Sequence, residues 1–522
     1  MWVCAALAWA GEPAARLVWD APGANVLGAP FPDGDWISCV DPATGDLALL
    51  ETATAKLRRL THKPATAAKE FAYFSAPSRD GRQVAYAWFN DEGFYDLRVV
   101  ETQAGAAPRL LFRNAEAGFV QPTSWTPDGA WILTLFFRKD NISQIALVPA
   151  AGGPVRVLKS LPWVYPKKMD ISPDGRWIAY DSFPGERPGP RDIFLLALDG
   201  SRASAVVEGP AEDVFPVWSP DGREILFASD RAGSMDAWAV RVENGRAAGE
   251  PRLVKKGLEQ FLPMGVTRAG ALVYGARTGA TDVAVASGGG APEVLATRTP
   301  GRNQSPAWSR DGLQLAYLSR RGAENFGLAS RVIVVRDLET GLERDLPARL
   351  AHVESLRWSP DGEWLLAAGS DGKGRSGLFR VRVRDGLVKP ERVVETADYH
   401  GVPGDWRPDG SVFVDAGVRA LAVSRSGTVA RAWPDRVEAG ERSWPLGNAT
   451  WLEWAGERLL AAGGGKAFAL SAAGWQELRW KDYDGGPFSA HPEGRRVALS
   501  VGRIRQQVWM IEHVFPPLDR GR

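Results

Sequence analysis

A short turn of the form Ser-Pro-Asp-Gly recurs along the whole chain, each time ahead of a run of apolar residues. Its best copy is VWSPDGREILFA, at residues 217–228. Serine at the first position, proline at the second and glycine at the fourth fit a type I turn. The apolar residues that follow fit a strand covered on both faces. The sequence therefore predicts one small folding unit that is repeated many times.

The spacing of these turns gives the length of the repeat. In the first half of the chain the turn recurs every 46 to 48 residues, and degenerate copies at Ala269-Gly270 and Ala455-Gly456 fill two gaps in the series. We interpret the acidic turn residues as turn formers whose carboxylates bond their own backbone. These residues are Asp33, Asp80, Asp128, Asp174, Asp221, Asp311, Asp361, Asp409 and Glu493.

Each repeat contains four short strands. In one copy, WVYPKKMDIS, RWIAYDS, RDIFLLALDG and SAVVEG follow one another with turn residues between them, and no segment has a sustained helical period. Four antiparallel strands in every 40 to 50 residues or so are typical of a β-propeller, so we predict an all-β protein of about eleven four-stranded blades. The tryptophan before the turn is expected to fill the wedge between adjacent blades. It occurs as Trp125, Trp218, Trp308, Trp358 and Trp406.

Eleven repeats exceed the usual 4 to 8 blades of one ring, so we predict two tandem propellers. The first is placed at residues 16–300 with about six blades, and the second at residues 301–522 with about five. The last repeat has no fourth strand, and the N-terminal RLVWDA has no partner of its own. Pairing them would cover two exposed sheet edges. We therefore expect Leu17, Val18 and Trp19 to pair with residues 508–511 and to complete a blade of the second ring.

Composition limits the classes of partner. The chain has 63 basic and 62 acidic residues, a net charge of +1 and no basic run, which argues against nucleic acid as a partner. No stretch approaches the roughly 20 apolar residues of a membrane span, so no integral membrane segment is predicted. We also expect the protein to be a monomer. The opening MWVCAALAWA, within residues 1–15, is interpreted as the remnant of a signal or anchor, which predicts a periplasmic or other extracytoplasmic location. The alternative is an ordinary apolar N-terminus of a cytoplasmic protein.

Several of these segments resemble a known group of repeats. The Ser-Pro-Asp-Gly turns, the SDRAG segment at residues 229–233 followed by Asp236 and Trp238, and the strand DIFLLALDG are similar to the TolB-like, WD-repeat-like propeller repeats of bacterial proteins. The resemblance covers the chain from about residue 16 to its end. It implies the fold but not the activity, because such repeats occur in TolB, in peptidase propellers and in propellers attached to bacterial serine/threonine kinases. DEGFYDLRVVE, RKDNISQIALV and VWMIEHVF are most similar to the last group.

Two segments imitate catalytic or nucleotide-binding motifs. GSMD at residues 233–236 lacks the second glycine of a G-x-S-x-G nucleophile elbow and falls between propeller strands. GKGRSG at residues 372–377 matches G-x-G-x-x-G, but LFRVRVRDG after it predicts a strand where dinucleotide binding needs a helix. We interpret both as loops and predict no catalytic residue.

Metal ligands are scarce. The five histidines do not have the spacing of metal ligands, so we predict no zinc site and no cofactor. A calcium site remains an alternative, because carboxylates from several blades can meet in the channel of a propeller. The pair Asp230-Arg231 is expected to be a structural salt link between the second and third strands of its blade. The five histidines of the chain are His62, His352, His400, His491 and His513.

Two functions follow from these predictions. The first is a non-catalytic TolB-like propeller that acts as a protein-binding or scaffold/sensor module, in the bacterial cell envelope. The alternative is a propeller enzyme, a metal-dependent hydrolase or lyase, whose site is assembled in a channel from separate blades. The second needs three or more acidic or histidine side chains that converge in one channel, which a linear sequence does not display.

Overall fold

The computed structural model describes residues 14–22, 28–64, 67, 70–140, 142–162, 164–185, 190–258, 261–287, 290–295, 297–301, 303–320, 331–346, 350–371, 375–384, 391–395, 404–415, 417–502 and 505–518. Within these ranges the sheets are antiparallel and there is no α-helix, which confirms the all-β prediction. None of the described segments forms a helix that is long and apolar enough to cross a membrane. The predicted signal or anchor remnant lies almost wholly outside the described residues.

The chain forms two compact units. Unit 1 comprises Met1–Thr278 and Arg505–Arg522, and unit 2 comprises Gly279–Ile504. The division therefore falls at residues 278 and 504 and not near residue 300, where the sequence placed it.

Unit 1 has six sheets in its described part. Its strands are β1 (Ala15–Pro22), β2 (Trp36–Val40), β3 (Leu47–Glu51), β4 (Leu57–Arg59), β5 (Phe71–Pro77), β6 (Gln83–Phe89), β7 (Tyr95–Glu101), β8 (Arg109–Phe112), β9 (Ala117–Trp125), β10 (Trp131–Arg138), β11 (Ile142–Pro149), β12 (Arg156–Pro162), β13 (Met169–Ile171), β14 (Trp177–Ser182), β15 (Asp192–Ala197), β16 (Ala203–Val207), β17 (Asp213–Trp218), β18 (Glu224–Ser229), β19 (Asp236–Glu243), β20 (Arg246–Ala247), β21 (Arg252–Lys255), β22 (Phe261–Val266), β23 (Leu272–Thr278) and the C-terminal β46 (Arg505–Ile511). The sheets are β2-β3-β4, β5-β6-β7-β8, β9-β10-β11-β12, β13-β14-β15-β16, β17-β18-β19-β21 with β20 beside β19, and β22-β23-β46-β1.

Unit 2 also has six sheets in its described part. Its strands are β24 (Thr281–Ser287), β25 (Glu293–Val294), β26 (Asn303–Trp308), β27 (Gln314–Arg320), β28 (Arg331–Asp337), β29 (Glu343–Leu346), β30 (Leu350–Trp358), β31 (Trp364–Asp371), β32 (Ser376–Arg382), β33 (Glu391–Glu395), β34 (Gly404–Trp406), β35 (Val412–Val414), β36 (Ala420–Val423), β37 (Val429–Ala432), β38 (Arg436–Ala439), β39 (Arg442–Pro445), β40 (Ala449–Ala455), β41 (Arg458–Gly463), β42 (Lys466–Ser471), β43 (Gly474–Leu478), β44 (Ser489–Ala490) and β45 (Arg496–Gly502). The sheets are β26-β27-β28-β29, β30-β31-β32-β33, β34-β35, β36-β37-β38-β39, β40-β41-β42-β43 and β44-β45-β24-β25.

The first strands of successive sheets form a ring in each unit. In unit 2 they contact one another in the order β26, β30, β34, β36, β40, β44 and back to β26. In unit 1 the order is β2, β5, β9, β13, β17, β22, and the main-chain N–H of Arg268 after β22 donates to the carbonyl of Pro32 before β2 at 2.8 Å. Sheets arranged around a ring of first strands are the blades of a propeller.

The recurring tryptophans join neighbouring blades, as the sequence predicts. The indole N–H of Trp125 donates to the carbonyl of Ala76 at 2.9 Å, and that of Trp358 donates to Ala307 at 2.8 Å. In each pair the acceptor lies on the first strand of the preceding blade, so one ring both fills the wedge and ties two blades together. All five side chains are buried. Trp308 differs, since its indole N–H has no partner among the described residues.

The fourth residue of the turn needs a backbone that only glycine adopts without strain. Gly222 has φ +71° and Gly362 has φ +74°. A side chain added at Gly222 would lie 3.3 Å from Pro173, whereas one at Gly362 would meet nothing within 4 Å. The two positions therefore separate backbone strain from crowding.

We expect Gly222→Val and Gly362→Val each to lower the free energy of unfolding by about 1–3 kcal/mol, because a β-branched residue is strained at positive φ. Chemical denaturation followed by tryptophan fluorescence measures the loss. Gly222→Asn and Gly362→Asn are the matched controls, since asparagine tolerates this conformation better. Unchanged unfolding in both valine variants would contradict the turn assignment.

One blade of each unit combines strands from distant parts of the chain. In unit 1, β46 lies between β23 and β1, with Trp509 opposite both Tyr274 and Leu17. This confirms that the terminal strands pair. The sheet belongs to unit 1, however, so the prediction that the N-terminal strand completes a blade of the second ring is wrong. The last blade of unit 2 takes β24, not β46, as its third strand.

The physical reason lies in two short links. Two residues separate β23 from β24, and two separate β45 from β46. From the sequence alone, a two-residue link between apolar strands predicts a tight hairpin that joins the second and third strands of one blade. Here each link instead carries the chain from one unit to the other.

The predicted number of about five blades in the second ring is also too low. The turn at Asp409 joins β34 to β35 and the turn at Ala455 joins β40 to β41, and between these two counted turns lies one uncounted sheet, β36-β37-β38-β39. The turn between β36 and β37 is Ser424-Arg425-Ser426-Gly427, with Gly427 at φ +89°. This turn lacks the acidic residue that marks the other repeats, so its blade was not predicted.

Candidate functional site

The eight predicted turn aspartates each bond within their own turn. In every case the main-chain N–H two residues further along donates to Oδ1 of the aspartate, at 2.9 to 3.1 Å. In Asp361 the Ser359 hydroxyl also donates to Oδ1, and these bonds lower the pKa of that carboxyl, with the serine bond as the main cause. These residues serve the turns and do not assemble into one site. They are Asp33, Asp80, Asp128, Asp174, Asp221, Asp311, Asp361 and Asp409.

A different set of side chains converges in unit 2. The residues immediately before the wedge tryptophans Trp358 and Trp406 are Arg357 and Asp405, and Glu453 precedes Trp454 in the same way. Nη1 of Arg357 lies 2.8 Å from Oε2 of Glu453 and 3.5 Å from Oδ2 of Asp405. We call these three residues the Arg357 cluster. Because they lie on β30, β34 and β40, the cluster links first strands of three blades.

The remaining donors of Arg357 are also used. Its Nη2 donates to the carbonyls of Leu452 at 2.7 Å and Leu421 at 3.2 Å, and the guanidinium lies 4.0 Å from the ring centroid of Trp451. Each side chain of the cluster is only 11 to 14% exposed. A buried guanidinium with this many partners neutralises the two carboxylates and fixes the positions of the strands that carry them.

Burial changes the acidity of Glu453. Loss of solvent raises its pKa to about 7, against the opposing effect of Arg357, and Asp405 adds to the rise. Its Oε1 accepts from the N–H of Ala490 at 3.3 Å and from the Ser489 hydroxyl at 3.4 Å. Glu453 is therefore a carboxyl group that titrates near neutral pH.

This pKa predicts how the stability of unit 2 depends on pH. The folded pKa lies above the ordinary value of 4.5, so the stabilisation is fully present below about pH 4.5 and is lost as the pH rises through 7. Between pH 5 and pH 8 we expect the free energy of unfolding to fall by roughly 2–3 kcal/mol more in the wild type than in Glu453→Gln. Denaturant titrations of both proteins across this range measure the difference. Parallel pH profiles would contradict it.

A cavity of about 80 Å³ adjoins the cluster in unit 2. Its lining combines charged groups with tryptophan rings. The lining residues with charge or aromatic character are Trp308, Arg310, Arg357, Trp358, Asp405, Arg425, Trp451, Glu453, Trp454 and His491. A second cavity of about 310 Å³ shares Arg357 and Trp451 with the first, so these two side chains lie between the two spaces.

The corresponding position in unit 1 is occupied by Asp170. Its Oδ1 accepts from the Ser124 hydroxyl at 2.9 Å and its Oδ2 from the N–H of Trp218 at 3.0 Å, which links three blades there. Near it, Nζ of Lys168 donates to the carbonyl of Met264 at 3.0 Å, and burial lowers the pKa of this lysine. Polar side chains thus tie first strands together in both units.

The salt link predicted for Asp230 and Arg231 has different partners. Nη2 of Arg231 contacts both carboxylate oxygens of Asp213, at 2.9 and 3.1 Å, whereas Asp230 accepts from the N–H of Glu212 at 2.9 Å. Arg231 therefore holds the loop after β18 to the first strand, β17, and does not connect the second strand with the third. A carboxylate at the start of the first strand offered a bidentate partner that was not apparent from the sequence.

The first motif-like segment, GSMD, lies in a loop, and the second, GKGRSG, is described only in part. The Ser234 hydroxyl donates to Asp236 at 2.9 Å, in the loop between β18 and β19. In GKGRSG, residues 372–374 lie outside the described residues, Arg375 contacts Asp371 at 2.6 Å, and β32 begins at Ser376, so a strand follows as predicted. In the described parts of the chain, no group of three or more His, Cys, Asp or Glu side chains is placed to hold a metal ion.

Comparison with known proteins gives one family match and several partial relatives. The family model for the WD domain, G-beta repeat, matches residues 345–375, which include β30 and β31. The chain is 30% identical over 156 residues to the Tol-Pal system protein TolB of Bordetella pertussis. Over these parts the chain is similar to TolB-like and WD-repeat-like propeller proteins. The TolB match covers 29% of this chain and 33% of the relative.

The other similarities are also partial. An uncharacterised protein of Agrobacterium fabrum is 35% identical over 123 residues, which are 23% of this chain and 39% of the relative. Dipeptidyl-peptidase 5 of Porphyromonas gingivalis is 35% identical over 71 residues, 13% of this chain and 10% of the relative. The crystal structure of TolB from Acinetobacter baumannii has a TM-score of 0.27 and 18% identity, covering 69% of this chain and 77% of that one. The chain thus matches well under two thirds of its sequence relatives' lengths.

Proposed function

We propose that this TolB-like propeller is a non-catalytic protein-binding or scaffold/sensor module of the bacterial cell envelope. The observation that carries the proposal is the Arg357 cluster, in which two channel carboxylates are neutralised by one arginine and bonded to the first strands of neighbouring blades. Asp170 in unit 1 likewise bonds to the first strands of neighbouring blades, through the Ser124 hydroxyl and the N–H of Trp218. Carboxylates that are bonded to first strands stabilise the rings, and a stable ring can present a rigid surface to a protein partner.

The partial similarity to a Tol-Pal system protein supports a role within a protein assembly. An extracytoplasmic location is part of the proposal, and it agrees with the signal-like pattern of the first residues.

The test is affinity capture from the envelope of the native bacterium with a tagged full chain, after reversible crosslinking and with mass spectrometry as the readout. We expect one or a few proteins that return in every replicate and are absent from a tag-only capture. Fractionation of the same cells locates the protein. A capture without any reproducible protein, or a protein found only in the cytosol, would contradict the proposal.

A second candidate is the propeller enzyme, and one observation favours it. Glu453 lines a cavity and has a pKa of about 7, which suits a general acid or base. Glu453→Gln keeps the size of the side chain and removes its proton transfer. A hydrolase or lyase activity that this substitution abolishes, while unfolding at pH 5 stays unchanged, would support the enzyme and argue against a scaffold.

A further inference from the structure

The second position of the repeated turn is occupied by arginine in a few copies. Proline stands there in seven turns, and four turns have arginine instead: Arg79 and Arg268 in unit 1, and Arg310 and Arg425 in unit 2. The two arginines of unit 2 both line the cavity of about 80 Å³. The side chains therefore reach the same small space from different blades.

The arginines of unit 1 have partners within the protein. Nη2 of Arg79 donates to the carbonyl of Ile171 at 2.6 Å, and Nη2 of Arg268 donates to the carbonyl of Arg79 at 2.8 Å. In the described part of unit 2, by contrast, neither Arg310 nor Arg425 donates a side-chain hydrogen bond or forms an ion pair. The same position in the repeat is thus satisfied in one unit and left without an acceptor in the other.

The carboxylates of the cavity attract Arg310 electrostatically, but neither accepts a hydrogen bond from it or forms an ion pair with it. Asp405 and Glu453 are both held by Arg357, as described above. Arg310 is partly buried, and loss of solvent lowers its pKa, while Asp405 and Glu453 raise it and Arg425 lowers it. The side-chain N–H groups of Arg310 and of the exposed Arg425 therefore have no acceptor in contact among the described residues, so they are available to a ligand.

We propose that this cavity is a carboxylate-binding site, in which Arg310 and Arg425 grip the two oxygens of a ligand carboxylate. The planar guanidinium matches a carboxylate through paired N–H donors. Three arginines and two carboxylates give the lining a formal charge of +1, which suits one carboxylate group, with its single negative charge, better than a phosphate group that carries two. Three wedge-position rings, Trp308, Trp358 and Trp454, also line the space and suit the apolar stem next to a carboxylate.

The carboxylate has two sources, a free organic acid or an acidic side chain of a protein partner. The inference rests on the proposed binding function only for the second source. Both sources share the chemistry that Arg310 and Arg425 recognise, so one set of variants tests them together and different probes separate them.

The probes are succinate, inorganic phosphate, and two fluorescein-labelled Gly-Ser peptides that differ only in one glutamate or glutamine. Thermal unfolding with each anion at matched ionic strength reports binding of free acids, since a ligand that binds the folded state raises the melting temperature. Fluorescence anisotropy reports binding of the peptides. The variants are Arg310→Gln, Arg425→Gln and the double variant, and Arg442→Gln is the matched control because Arg442 is an exposed arginine of the same unit.

We expect succinate or the glutamate peptide to bind, phosphate to bind more weakly, and the affinity to fall at least about tenfold in the double variant and less than twofold in Arg442→Gln. Binding of succinate without the peptide identifies a free acid, and preference for the glutamate peptide over the glutamine peptide identifies a protein carboxylate. Equal binding by the wild type and the double variant, or no binding of either carboxylate probe, would overturn the proposal.

The envelope capture separates this inference from the proposed function. If the wild type and the double variant capture the same protein in equal amounts, the binding function stands and the carboxylate site as its docking point is wrong. If the wild type captures no protein but succinate protects it in an Arg310-dependent and Arg425-dependent way, the scaffold proposal fails and the carboxylate site stands.

Discussion

Arg357→Ala is expected to lower the free energy of unfolding of unit 2 by about 3–5 kcal/mol, the usual cost of removing one partner from a buried ion pair. The substitution leaves Asp405 and Glu453 without their cation and the carbonyls of Leu421 and Leu452 without a donor. Denaturant unfolding at pH 7.5, where Glu453 is largely charged, measures the loss. Arg442→Ala is the control, because that side chain is exposed.

A double substitution shows whether the loss comes from the uncompensated carboxylates. Adding Glu453→Gln to Arg357→Ala removes one buried charge, and at pH 7.5 we expect it to add more stability there than it adds to the wild type. A loss below about 1 kcal/mol in Arg357→Ala would mean that the cluster does not hold the three blades together. Additive effects of the two substitutions would mean that the residues act independently.

Ending the chain at residue 504 should abolish folding of unit 1 and leave unit 2 folded. The truncation removes β46, which lies between β23 and β1, and with it the buried side chains of Val508, Met510 and Ile511. Burial of three such side chains contributes on the order of 5–9 kcal/mol, comparable with the total stability of a typical domain. All four strands of the last blade of unit 2 are still present.

Calorimetry shows which unit has lost its fold, because units that unfold separately give separate transitions. We expect the truncated chain to keep one transition, which Arg357→Ala shifts, and to lose the other. A chain that ends at residue 518 is the control, since it retains every described strand. Retention of both transitions after truncation at residue 504 would mean that β46 does not hold unit 1 together.

The sequence was sufficient for the local structure of a blade. The turn chemistry of residues such as Ser219 and Gly222, and the tryptophan one position earlier, depend on contacts within one repeat or between neighbours. Such contacts leave a regular pattern in the sequence. The pairing of the terminal strands was predictable for a similar reason, since each terminal segment was a strand without a partner.

Ring membership was not predictable in this way. Apolar third strands such as TDVAVAS and QQVWMIE present the same pattern to either ring, so the local sequence does not decide which blade each completes. The Arg357 cluster did leave a signal, because a charged residue before a wedge tryptophan occurs three times, as Arg357-Trp358, Asp405-Trp406 and Glu453-Trp454. The distances that make these residues a network, however, depend on how closely the blades approach at the axis. The arginines at the second turn position were visible as well, but their difference in partners between the units was not.

The two crossing links also set the order in which the molecule is completed during synthesis. β1 is synthesised before the other described strands, yet the ring that contains it stays open until β46, the last of them, emerges from the ribosome. Unit 2 is synthesised without interruption between residues 279 and 504 and has all of its strands once β45 is made. We therefore expect the ring of unit 2 to close first on the nascent chain. Until β46 is made, the ring of unit 1 has one incomplete blade, and the unpaired strand edges of that blade are exposed to chaperones.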